Sequence, residues 1–237
     1  MQSEFSAVCK KIKDKGKRDF IESLLCLLCQ KAQEANVNVW NELYKLKLSY
    51  GNSTIKGSYV TKAIRDYLIE RQNSRCCYCK RYILNSSWVR QVEHILPTAH
   101  YPRFSLTMNN LAVACAECNN AKSNDIWWQS INPAGPYPDM LLFKDAFHHN
   151  MHKYDEHVRW FRYSNNKFSF SIYAGLTAPG RKLCSDLLEK VVQVEILNIC
   201  DDGMQAALDK INLYNTNNKT MPGLETFLRE LQKKLIA

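Results

Sequence analysis

The chain has 237 residues, 46% of them apolar, with five Trp and twelve Tyr, enough for one large domain or two small ones. A net charge of +9 suits a polyanionic partner, no apolar run reaches the ~18 residues that a membrane span needs, and the N-terminus has no basic stretch leading into an apolar one. Ten cysteines with no export signal point to reduced thiols and a metal site in the cytoplasm, not to a disulfide framework.

Residues 1–18 carry Lys10, Lys11, Lys13, Lys15, Lys17 and Arg18, a solvated helix face or an arm for phosphate. Phe20–Ala35 predicts a helix, since Phe20, Leu24, Leu27, Leu28 and Ala32 recur at helical spacing. Cys26 and Cys29 lie inside that apolar run and read as core thiols. Val39–Leu48 predicts a second helix and Tyr59–Gln72 a third, separated by a turn at Tyr50-Gly51-Asn52-Ser53.

Past the centre of the chain, Pro133, Pro136 and Pro138 forbid a helix. Residues 140–157 hold His148, His149, His152 and His157. On a helix His148 and His152 would share a face and could bind metal; the plainer reading is a polar surface stretch or a partner contact. Val158–Tyr163 and Lys167–Tyr173 alternate around Ser164-Asn165-Asn166 as a β-hairpin. Its aromatics, Trp160, Phe161, Phe168, Phe170 and Tyr173, read as core or interface before they read as a base-stacking platform. Gly175–Gly180 reads as a loop. Lys182–Cys200, Gly203–Tyr214 and Leu224–Leu235 read as closing helices.

The central stretch carries the chemistry. Cys76 and Cys79 form one C-x-x-C pair, Cys115 and Cys118 another, and four thiolates satisfy tetrahedral zinc with no position left open, which is a structural site. Cys77 does not meet the spacing and is left out. The 35 residues from Lys80 to Ala114 exceed what a zinc ribbon needs, so the insert carries something, and His94 is the candidate. It sits at the end of a short strand stopped by Pro97, beside Glu93. A histidine not bound to zinc can deprotonate water near neutral pH. Asn119 and Asn120 follow the second pair where a helix is expected to open; they read either as hard oxygen ligands for Mg²⁺ or as helix caps.

Cys76-x-x-Cys79, Glu93-His94-Ile95-x-Pro97, Asn110-Leu111 and Cys115-x-x-Cys118-Asn119-x-x-Lys122 together resemble the HNH (ββα-metal) endonuclease motif, over about a fifth of the chain. The resemblance implies an α+β, mostly α protein: a helical region over 1–72, a zinc-stapled ββα-metal core over 73–130, and a C-terminal region over 131–237 with a hairpin and helices. It makes His94 the general base, Asn110 the residue that orients the base and holds its loop, and Asn119 a metal ligand. Glu93 stands where many members have a metal-binding aspartate, and Lys122 at a basic position able to touch phosphate. Catalytic Mg²⁺ or Mn²⁺ and structural Zn²⁺ are the implied cofactors.

His100-Tyr101-Pro102-x-Phe104, Asn132-Pro133 and the helical flanks are similar to the PtuB-type nucleases of Septu and retron-associated anti-phage systems. That resemblance implies a PtuA-type ATPase partner, in retron-borne versions a reverse transcriptase with its RNA–DNA hybrid, and a nucleic-acid target, DNA or tRNA. The alternatives are a stand-alone restriction-type DNA endonuclease and a zinc-dependent nucleic-acid-binding module without catalysis.

Overall fold

The computed structural model describes residues 2–83, 90–164, 169–196, 202–216 and 223–236. These form an α+β structure, mostly helical, with three two-stranded antiparallel sheets among the described residues. The chain divides into two compact units. The first is Met1–Leu142 with His149–Met151, and the second is Phe143–His148 with His152–Ala237. No helix among the described residues is long and apolar enough to cross a membrane.

The first unit begins with α1 (Gln2–Cys9) and α2 (Lys15–Ala35). The Asp14 side chain caps α2 by accepting from Lys17 N, and Asn36 closes it in the left-handed region at φ 52°. Ile21, Leu25, Leu28, Cys29 and Ala32 bury one stripe of α2, so Cys29 is a core thiol as read, while Cys26 is half-buried. The basic N-terminal residues are partly committed: Lys11 pairs with Glu70, Lys17 with Asp14, and Arg18 donates to the carbonyls of Ile12 and Lys13.

The predicted second helix is shorter than expected. α3 spans Trp40–Lys45, after which β1 (Lys47–Tyr50) pairs antiparallel with β2 (Ser53–Lys56) across the expected turn. α4 (Gly57–Arg71) follows directly. Gly57 is required there, since a Cβ would lie 1.7 Å from the Leu43 carbonyl oxygen. The unit then builds β3 (Gln91–His94), β4 (Leu111–Ala114) and α5 (Ala116–Lys122). β3 and β4 are antiparallel, with His94 opposite Leu111 and Glu93 opposite Ala112. α4 is tied to β4 by Gln72, whose amide imitates a strand neighbour: Oε1 accepts from Val113 N at 2.7 Å and Nε2 donates to Val113 O at 2.8 Å.

In the second unit α6 (Tyr154–His157) leads into a hairpin of β5 (Val158–Ser164) and β6 (Ser169–Gly175). Asn165, Asn166 and Phe168 of the expected hairpin lie outside the described residues. The loop expected over 175–180 already contains the start of α7 (Ala178–Leu183), because Thr177 accepts from Gly180 N as its cap. A π-helical turn (Cys184–Leu188) and α8 (Glu189–Ile196) continue it, and α9 (Asp202–Thr216) and α10 (Leu224–Ile236) close the chain. Cys200 of the long expected helix lies outside the described residues. The core joins Ile172 and Ala174 of β6 to Ile211, Tyr214, Leu224, Leu228 and Leu231. α9 is fixed by polar contacts to the edge of β6: Gly175 N donates to Asn215 Oδ1 and Asn215 Nδ2 to Tyr173 O.

Candidate active site and metal centre

The four spaced cysteines converge. The sulfurs of Cys76, Cys79, Cys115 and Cys118 lie within 4.8 Å of one another, all in buried residues, and Cys77 is not among them. The Cys79–Cys115 Sγ separation is 3.7 Å. A disulfide needs about 2.05 Å. Tetrahedral zinc with bonds of about 2.3 Å sets its sulfurs about 3.8 Å apart, so the cluster has the size of a zinc site. The knuckle geometry agrees. Lys80 turns through φ 57°, Lys80 N donates to Cys76 O, and Cys115 N donates to Cys76 Sγ at 3.4 Å. Burial resists ionisation of Cys76, yet the surrounding thiols, Cys115 and Cys118 first, hold it well below the usual thiol range.

β3 alternates, which separates Glu93 from His94. Glu93 is 4% exposed and faces a buried polar cluster. Its Oε1 accepts the Tyr78 hydroxyl at 2.9 Å and the Lys122 ammonium at 2.7 Å. Burial pushes the Glu93 carboxyl up, while Lys122 and Tyr78 oppose that shift. Tyr78 belongs to the first knuckle and Lys122 ends the helix that follows the second, so this cluster ties both zinc arms to the strand of His94. Trp127 covers it, 5.7 Å from both the Lys122 ammonium and the Tyr78 ring.

Lys122 is therefore not placed as expected for a phosphate contact. It is 1% exposed, and its amine is held by Glu93 and, at 3.3 Å, by the His94 carbonyl. A lysine so buried has its stem packed and its charge neutralised within the fold.

His94 is half-buried, its ring edge-on to Trp40 at 5.2 Å. Its Nε2 lies 3.0 Å from the Ser105 carbonyl oxygen. A carbonyl only accepts, so Nε2 carries the proton and Nδ1 presents the lone pair. Burial brings the imidazole down to about 4, against the Ser105 contact, with Lys122 lowering it further. At neutral pH it is an uncharged base.

Asn110 is fully buried and grips the loop that follows His94. Its Oδ1 accepts from Leu96 N at 2.7 Å, and its Nδ2 donates to the carbonyls of Leu96 and Phe104. The His94 ring itself is oriented by the Ser105 carbonyl, a contact no residue type reveals. Asn119 lies within α5, which starts at Ala116 and not at the asparagines, and its Nδ2 donates to Gln91 Oε1 at 2.6 Å.

His94, Glu93, Asn119, Asn120, Thr98 and Ser123 line one open cleft of about 360 Å³. Its oxygen-rich lining fits a hard divalent cation, with one qualification in the chemistry: the Glu93 charge is already balanced by Lys122. Residues 148–152 form a turn between a 3-10 helix at Met140–Phe143 and α6, so His148 and His152 share no helical face. His148 N donates to His152 Nδ1, and the His152 and His157 rings lie 4.4 Å apart, tilted by 43°.

A strand pair, a short helix and a cleft lined by His94, Asn119 and Asn120 make a ββα arrangement, and residues 76–125 match the HNH endonuclease family model. Septu protein PtuB of Bacillus thuringiensis is 35% identical over 75 residues, 32% of this chain and 28% of that protein. Protein ea31 of Escherichia phage lambda is 26% identical over 117 residues, 46% of this chain and 37% of that protein. The chain thus spans between about a quarter and two fifths of the length of these relatives. No solved structure matches it.

Proposed function

We propose that the protein is a metal-dependent HNH endonuclease that hydrolyses phosphodiester bonds. The reading is supported above all by His94: Nε2 is locked on the Ser105 carbonyl, leaving a neutral Nδ1 as the base. His94 accepts the proton of the attacking water at Nδ1 as the new P–O bond forms. The Ser105 carbonyl keeps the ring in the productive tautomer and steadies the imidazolium once it forms. Asn110 holds the loop that carries Ser105 into place. Asn119, with its amide nitrogen occupied by Gln91, and Glu93 would hold a divalent cation, Mg²⁺ or Mn²⁺, through their side-chain oxygens. When bound, that cation polarises the phosphoryl oxygen and stabilises the leaving oxygen. Zinc at Cys76, Cys79, Cys115 and Cys118 is structural.

In the cell the protein acts as the nuclease of a Septu-type anti-phage system, gated by a partner ATPase of the PtuA type, in retron-borne versions together with a reverse transcriptase and its RNA–DNA hybrid. Its target is DNA or tRNA. The assay is phage challenge with the ATPase co-expressed, comparing wild type with His94→Ala and sequencing new ends in genomic DNA and in tRNA. His94-dependent ends in one pool identify the target. Protection that survives His94→Ala, with no new ends in either pool, refutes the nuclease and favours a non-catalytic zinc module. Cleavage of DNA by the purified chain without ATPase would favour a stand-alone restriction-type enzyme.

A further inference from the structure

Asn150 lies 25 residues beyond the segment that matches the HNH family, yet it reaches the centre of the site. The path of the chain makes this possible. Phe143–His148 belongs to the second unit, His149–Met151 to the first, and from His152 the chain belongs to the second again. The three-residue strap is thus a remote piece of sequence set into the nuclease unit.

The Asn150 side chain donates from Nδ2 to two carbonyls, Asn109 O at 2.9 Å and Leu111 O at 2.9 Å. Those carbonyls flank Asn110 on either side. An amide nitrogen has two hydrogens, and both are used. Between them, Asn110 ties the loop after His94 at three points: its backbone oxygen accepts from Ile95 N at 2.9 Å, and its side chain spans Leu96 and Phe104. The next residue, Ser105, supplies the carbonyl that holds His94 Nε2. Tyr137 adds a hydroxyl on Asn109 O at 3.1 Å, so the same turn is held from two remote segments.

We infer that Asn150 is a positioning residue for His94: it clamps the backbone on both sides of Asn110 and so keeps the Ser105 carbonyl where it orients the base. The inference rests on the nuclease reading for its catalytic consequence, but its physical content is the lifetime of the His94–Ser105 hydrogen bond. Asn150→Asp tests it with almost no change of shape, because a carboxylate accepts but does not donate and sets negative charge against two carbonyls. Asn150→Ala removes the clamp outright, and Asn150→Gln keeps the amide one methylene further out.

The experiment uses the full zinc-loaded chain labelled with ¹⁵N-histidine. The Nε2–H signal of His94 is identified by its absence in His94→Gln, and its exchange with solvent is measured. In parallel, hydrolysis of bis-p-nitrophenyl phosphate with Mn²⁺ gives kcat and KM, and metal analysis gives zinc per chain. Asn150→Ala and Asn150→Asp should speed Nε2–H exchange at least tenfold and lower kcat at least tenfold. KM should stay within twofold, with zinc content unchanged and partial rescue in Asn150→Gln. Unaltered exchange in both variants overturns the inference. So does a loss of kcat that only follows loss of zinc and of folded protein. A wild-type chain that hydrolyses nothing either alone or with its partner ATPase, while exchange still responds to Asn150, refutes the nuclease reading and leaves the clamp standing.

Discussion

Lys122→Met is the sharpest probe of the buried cluster behind the active strand. Methionine keeps most of the volume of the lysine stem and removes the ammonium, with its charge and its donation to the His94 carbonyl. What remains is the Glu93 carboxylate, 4% exposed, with the Tyr78 hydroxyl as its neutral donor in place of an ammonium at 2.7 Å. Breaking a buried ion pair from one side costs about 3–5 kcal/mol, because the remaining charge is stranded away from water. With a urea slope of ~2 kcal/mol/M, that moves the unfolding midpoint of the zinc-saturated protein down by ~1.5–2.5 M. Glu93→Gln added to Lys122→Met removes the stranded charge and should recover about 2 kcal/mol or more, the signature of direct coupling.

The pH dependence has a definite sign. Lys122 lowers the Glu93 carboxyl, so its loss raises a group that burial already pushes up. A carboxyl raised above its unfolded value stabilises the fold when protonated and loses that contribution as pH rises through the folded pKa. Lys122→Met should therefore gain stability, relative to wild type, as the pH falls. A single variant within 1 kcal/mol of wild type, or a double variant no better than the single, would refute the buried pair.

His94, held down to about 4 against an ordinary 6.5, makes the fold resist its protonation. Stability should fall by about 2 kcal/mol between pH 7 and pH 5 on its account, a difference that His94→Gln removes in paired urea titrations. Cys115→Ser takes one sulfur from the cluster; zinc per chain should drop toward zero after dialysis against a mild chelator. The His94 Nε2–H signal should vanish with it, since Tyr78 and Lys122 lose the arms that place them.

Spacing revealed what spacing encodes. The two cysteine pairs and the histidine before Pro97 follow local patterns and were legible in the sequence; the α2 helix was too, but its buried face lies one residue along from the expected stripe, on Ile21, Leu25 and Cys29 with Leu28 and Ala32, leaving Leu27 exposed. The β1–β2 hairpin was not, because Trp40, Leu43 and Leu46 carry a helical repeat into Lys47-Leu48, and four mostly exposed residues per strand leave a weak period of two. Lys122 was expected to be able to touch phosphate because a lysine looks the same in sequence whether solvated or paired; only the fold brings Glu93 and Tyr78 to it. Ser105 acts through a carbonyl, which every residue has. Asn150 is legible only once the chain path is known.

That path bears on how the protein can be dissected. The segment matching the HNH family ends at 125 and the first unit's main run at Leu142, so a gene shortened to that point looks sufficient. It would nonetheless omit His149–Met151 and with them both backbone clamps around Asn110. The first unit is discontinuous, and the piece such a fragment lacks is flanked on both sides by residues of the other unit. Cutting the chain in two, by protease or by cloning, therefore cannot yield both units whole. An inactive N-terminal fragment would be evidence of a lost strap, not of a lost catalyst.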